Sequence, residues 1–143
     1  VGVYTERSRA EVLAARRVLG DLPRTAEGAR RARAILLDLP QDHPARLVVH
    51  SPDFYTTSAV RDLLLHACEH RFHPAAAGAW LHEAGLEVIG VECDWPDHVA
   101  DWDTRYPADP LRVDLANWDD VETRHPGLFA GMLRVWARVR EGV

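Results

Sequence analysis

Between residues 74 and 92 the chain sets down a helix, a glycine and a strand in immediate succession, and that order limits the fold more than any other stretch. Pro74 suits the first position of a helix, Ala77, Trp80, Leu81 and Ala84 recur at helical spacing as its inward face, and Gly85 is placed to end it. Residues 86–92, LEVIGVE, then have the length and β-branching of a strand. A helix that passes through one glycine into a strand is a helix returning to a parallel sheet, so an α/β protein is expected.

Two more stretches belong to that sheet. Residues 1–4, VGVY, read as a buried strand, and residues 132–139 alternate so that Leu133, Val135 and Val139 share a face, although so short a run also permits a helix. Long helical connections favour parallel pairing of 1–4 with 86–92, and 132–139 is expected antiparallel beside the latter. Because VGVY enters as an interior strand with few strand candidates after it, the chain is expected to be a fragment whose partner strands lie upstream.

The remaining punctuation is helical. Thr5 or Ser8 caps a helix to Leu19 with Val12, Ala15 and Leu19 inward and Gly20 as its stop, and Thr25 caps a second with Ala29, Ala32, Leu36 and Leu39, ended by Pro40. These two are expected as an antiparallel pair, followed by a short connector from Asp42-His43-Pro44. Asp94-Trp95-Pro96 starts a helix containing Val99 and Trp102 and closed by Tyr106-Pro107; Asp114 caps another with Leu115, Trp118 and Val121, broken at His125-Pro126-Gly127. About three strands and six helices follow.

With 143 residues and 47% apolar content the chain is long and hydrophobic enough for one domain with a core. Its longest apolar runs are far short of the roughly 20 residues of a spanning helix, and no stretch reads as a signal peptide, so a cytoplasmic protein without membrane contact is expected. All 17 positive residues are arginines, interleaved with acids at a net charge of -5, which argues against a nucleic-acid partner. Cys68 and Cys93 lack metal spacing and are expected as small buried residues in a reducing compartment.

The chemistry is concentrated in residues 51–72, SPDFYTTSAVRDLLLHACEHRF. With Ser58 as helix start and 61–70 helical, about 100° per residue sets Val60, Leu63, Leu64 and Ala67 on one side and Asp62, His66 and Glu69 on the other. Asp53, Phe54 and Tyr55 precede it in a loop bounded by Pro52 and the Thr56-Thr57-Ser58 run.

The stretches VGVYTERSRAEVLAAR, DFYTTSAVRDLLLHACEHRF, LEVIGVE and HPGLFAGM together resemble the C-terminal half of a bacterial family of class I S-adenosylmethionine-dependent methyltransferases, often fused to tetratricopeptide repeats. The likeness covers nearly the whole chain and is most specific from Asp53 to Phe72; it departs at Ala59-Val60, at Leu65 and in the run Met132-Leu133-Arg134-Val135-Trp136. It implies part of a Rossmann-like sheet, with 1–4, 86–92 and 132–139 as its fifth, sixth and seventh strands. Residues 6–84 become a helical lid or substrate-binding insertion, and 86–143 the closing strands and helices. The glycine-rich loop and acidic residue that hold S-adenosylmethionine belong to the first half of such enzymes, so the fragment alone is expected neither to bind the cofactor well nor to methylate, and its cofactor-binding residues are unassigned.

Three readings of the loaded stretch stay open. The resemblance implies an acceptor-binding, acid-base wall, with His66, Glu69 and His70 catalytic and Asp53, Tyr55, Arg61 and Asp62 binding a small-molecule or protein acceptor. Asp62, His66 and His70 at i, i+4 and i+8 raise a metal site, though the last step drifts around the helix and no metal is assigned. The third reading is structural, with the polar groups satisfying buried partners. Against the methyltransferase reading stands a noncatalytic helical module docking a protein through Trp95, Trp102, Tyr106 and Trp118.

Overall fold

The computed structural model describes residues 1–66, 69–93 and 96–140. Strands β1 (Gly2–Thr5), β2 (Arg71–Phe72), β3 (Leu86–Glu92) and β4 (Leu133–Val139) form one mixed sheet in the order β2-β1-β4-β3. The helices are α1 (Ala10–Leu19), α2 (Ala26–Asp38), α3 (Thr57–Leu65), α4 (Pro74–Glu83), α5 (Trp102–Arg105) and α6 (Leu115–Arg124), with 3-10 segments between them. The α/β class is therefore established. The chain divides into two compact units: Arg9–Glu69 is all-helical, and Val1–Ser8 with His70–Val143 holds the sheet, so β2 and α4 belong with the sheet and not with the insertion.

In the sheet unit β4 lies between β1 and β3 and is antiparallel to both, so β1 and β3 share a direction but do not pair with each other as expected, because β4 takes the place between them. Parallel β2 pairs with β1 only at Tyr4↔Arg71 and Thr5↔Phe72. Leu133 and Val135 of β4 point into a core filled by Ala77 and Leu81 of α4, by Leu115, Trp118 and Val121 of α6, and by Trp102. Asp114 caps α6 by accepting from the Ala116 N–H at 2.8 Å, and His125 ends it, as the punctuation indicates.

Several expected positions differ. Trp80, expected inward, is 47% exposed and stacks on Phe72, and Ala84 is exposed beyond the end of α4, because only Pro74, Ala77 and Leu81 of this helix reach the sheet core. Val139 keeps the parity of Leu133 and Val135 but lies past the helices that cover them, and Trp136 faces outward with its indole N–H donating to Glu92. The helix expected from Asp94 is two short ones, a 3-10 turn Pro96–Val99 and α5, while Asp94 and Trp95 lie outside the described residues.

In the helical unit, Val12, Ala15 and Leu19 of α1, Ala29, Ala32 and Leu36 of α2, and Val60, Leu63, Leu64 and Leu65 of α3 enclose one core. Thr25 accepts from the Gly28 N–H at 3.1 Å and caps α2, and Gly28 is held so close to the Pro23 carbonyl that a Cβ there would collide with it. α1 and α2 touch little; α1 packs on the 3-10 segment Pro44–His50 and α2 on α3, so they are partners of a shared centre and not of each other.

Candidate functional site

α3 begins one residue earlier than the sequence indicates, with Thr56 Oγ1 accepting from the Ala59 N–H at 3.1 Å. Before it, Ser51 Oγ accepts from the Asp53 N–H at 3.3 Å and shapes the 3-10 turn Pro52–Phe54. Phe54 is driven into the helical core beneath the Arg33 guanidinium, 5.6 Å from its ring centroid, which leaves Asp53 and Tyr55 on the surface.

The helix stops at Leu65, five residues before the expected end, and His66 turns the backbone into an extended conformation. Two long-range demands account for this. Arg16 Nη2 donates to the Leu63 carbonyl at 2.8 Å, filling one of the acceptors a helix C-terminus leaves open, and by Arg71 the chain must already be a strand beside Tyr4. The expected face of Asp62, His66 and Glu69 on one helix is therefore not formed, because only Asp62 of the three is helical. Its apolar counterpart stands at Val60, Leu63 and Leu64, while Ala67 and Cys68 lie outside the described residues.

Arg24, Arg61, Asp62, Leu65 and His66 instead line a shallow depression of about 250 Å³ in the helical unit. Leu65 is buried as its floor; the other four are exposed around it. The structure thus brings together three of the seven sequence-derived site residues and adds Arg24. Asp53 and Tyr55 are outside this lining, and His70 belongs to the sheet unit, immediately before β2.

Glu69 has another role. Its Oε2 accepts from Arg9 Nη2 at 3.2 Å and from Arg16 Nη2 at 3.3 Å, with the side chain 7% exposed. Arg9 and Glu69 are the first and last residues of the helical unit, so this carboxylate ties its two ends together. That tie gives Glu69 a structural role.

Two polar clusters of the sheet unit carry no signal readable from local sequence. At the end of β1, Thr5 Oγ1 donates to Glu122 Oε1, and Arg7 Nη1 donates to Asp119 Oδ1 at 2.6 Å and Glu122 Oε2 at 3.2 Å. Glu122 is fully buried, and burial pushes its carboxyl above the ordinary value against the opposing pull of Thr5 and Arg7. The spacing of Asp119 and Glu122 on α6 could have marked a polar face, but their partners lie over 110 residues away in sequence. The rings of His98 and His125 meet at 4.3 Å beside a depression of about 300 Å³ lined by Pro126, Gly127 and Leu128.

Among the described residues no three His, Cys, Asp or Glu side chains are grouped to hold a metal ion, and the i, i+4, i+8 set of Asp62, His66 and His70 is lost with the end of α3. No described helix is long and apolar enough to cross a membrane. Cys93 is half-buried at the edge of the sheet core. Trp102 and Trp118, expected at an aromatic docking surface, are buried instead: they are 1% and 2% exposed, and their indole N–H groups donate to the Asp109 and Arg112 carbonyls at 2.7 and 2.8 Å. Tyr106 is bound to Asp120 and Arg124, and Trp95 lies outside the described residues.

The fold and site define an α/β chain with a mixed sheet and a helical unit bearing an exposed, charged depression. No protein-family model, curated protein or solved structure matches it. The described residues offer no cradle for S-adenosylmethionine: β1 leads through Glu6 into the 3-10 turn Arg7–Arg9 without a glycine, and no strand-to-helix turn carries a Gly-x-Gly sequence.

Proposed function

We propose that the chain is the acceptor-binding C-terminal part of an S-adenosylmethionine-dependent methyltransferase with a Rossmann-like sheet, acting in the cytoplasm and completed by an upstream cofactor-binding half. The observation that carries this reading is the sheet: β1 and β3 parallel in direction, β4 antiparallel beside β3, and a separate helical unit inserted after β1. The strand directions support the strand roles that the resemblance implies, and the helical unit Arg9–Glu69 falls within the implied insertion 6–84 while β2 and α4 belong to the sheet. Within the helical unit the depression around Arg24, Arg61, Asp62 and His66 serves as the acceptor wall.

Methyl transfer needs the acceptor atom aimed along a line and relieved of its proton. Arg61 and Asp62, on the last turns of α3, supply the aim, and the imidazole of His66, at the helix end, takes the proton. In the complete enzyme, S-adenosylhomocysteine release with a cell extract as acceptor source tests this. His66→Gln lowers turnover on the order of 100-fold while the melting temperature moves by no more than a few degrees; unchanged turnover contradicts the role.

A further inference from the structure

Four of the nine arginines of the helical unit are committed. Arg9 and Arg16 hold Glu69, Arg46 donates to the Leu37 and Leu39 carbonyls, and Arg33 lies over Phe54. Among the described residues the side chains of Arg24 and Arg61, like those of Arg17, Arg30 and Arg31, have no ion pair or hydrogen bond, and the same holds for Asp62; what sets Arg24 and Arg61 apart is the depression they line. All three meet at one depression, above buried Leu65 and beside His66.

Resting on the acceptor-wall reading above, we infer that this depression takes a small acceptor bearing a single carboxylate beside a hydroxyl or amine. Two guanidiniums and one carboxylate sum to a net charge of +1, which matches a monoanion. The planar fork of arginine fits a carboxylate bidentately, and Leu65 beside the pair offers an apolar contact to the carbon part of the molecule. Asp62 decides the class. A dianionic phosphate filling the same space meets a carboxylate of like charge, whereas a monocarboxylate turned toward the arginines offers its neighbouring O–H or N–H to Asp62 and His66. A volume of about 250 Å³ suits a molecule of few heavy atoms, below the usual range for drug-sized ligands.

The test is proton-carbon NMR of the histidine rings of the 143-residue chain, titrated with sodium glycolate, sodium phosphate or sodium chloride at matched ionic strength and pH 7.5. Glycolate shifts the His66 resonance saturably, phosphate does so at least about tenfold more weakly, and chloride leaves it flat. Arg24→Gln and Arg61→Gln each raise the glycolate midpoint by about tenfold, whereas Arg30→Gln, an exposed arginine of α2 outside the depression, leaves it unchanged. A His66 signal that does not saturate, a phosphate response equal to or stronger than that of glycolate, or a midpoint unmoved by both arginine variants overturns the inference. Such a failure leaves cofactor binding by a longer enzyme untouched. Glycolate binding to a chain whose longer form ignores S-adenosylmethionine retains the carboxylate site and rejects the methyltransferase.

Discussion

Glu69 Oε2 stands 3.2 Å from Arg9 and 3.3 Å from Arg16, mostly out of water, so removing its charge takes an ion-pair partner from two guanidiniums at once. Glu69→Gln therefore lowers unfolding free energy by about 3 kcal/mol in urea denaturation, the scale seen when one member of a buried pair is lost; a change under about 0.5 kcal/mol contradicts the tie. Glu122 behaves in the opposite sense with pH. Its folded pKa is raised by burial, so its favourable contribution is fully present below the unfolded carboxyl pKa and is lost as pH rises through the folded value. Denaturation midpoints from pH 4 to pH 7 should show the wild type losing stability relative to Glu122→Gln, whose amide still accepts from Thr5. Parallel pH profiles for the two proteins are the contrary result.

At the scale of elements, local chemistry was legible and long-range chemistry was not. Thr25 and Asp114 cap through oxygens two or three residues from the N–H they bind, and Gly20 and Gly85 carry the positive φ that stops a helix, all visible in short windows. The end of α3 depends instead on Arg16, 47 positions from Leu63, and on the pairing of Arg71 with Tyr4, so the sequence ran the helix to His70 and placed Glu69 on the wrong element. Arg24 carries no local signal for the same reason, since its neighbours in the depression lie on α3 and at its end. Two substitutions check the packing. Leu64→Ala, in the core of the helical unit, costs on the order of 2 to 5 kcal/mol. Gly28→Ala forces a methyl against the Pro23 carbonyl and lowers stability by about 1 to 3 kcal/mol, although alanine is the better helix former; a gain in melting temperature contradicts that contact.

Over the whole molecule, β1 and β3 were readable as apolar stretches and β4 by its alternation, and the shared direction of β1 and β3 accords with the long connection between them. β2, two residues long, has no pattern of its own and exists only through its pairing with β1. The division of labour proposed here puts acceptor recognition in this chain and the cofactor cradle upstream of it. Calorimetric titration of S-adenosylmethionine into the 143-residue chain and into the longer polypeptide of its reading frame measures that division directly. The account predicts micromolar binding by the longer polypeptide and no measurable heat from the chain alone; micromolar binding by the chain alone, or none by either, contradicts it.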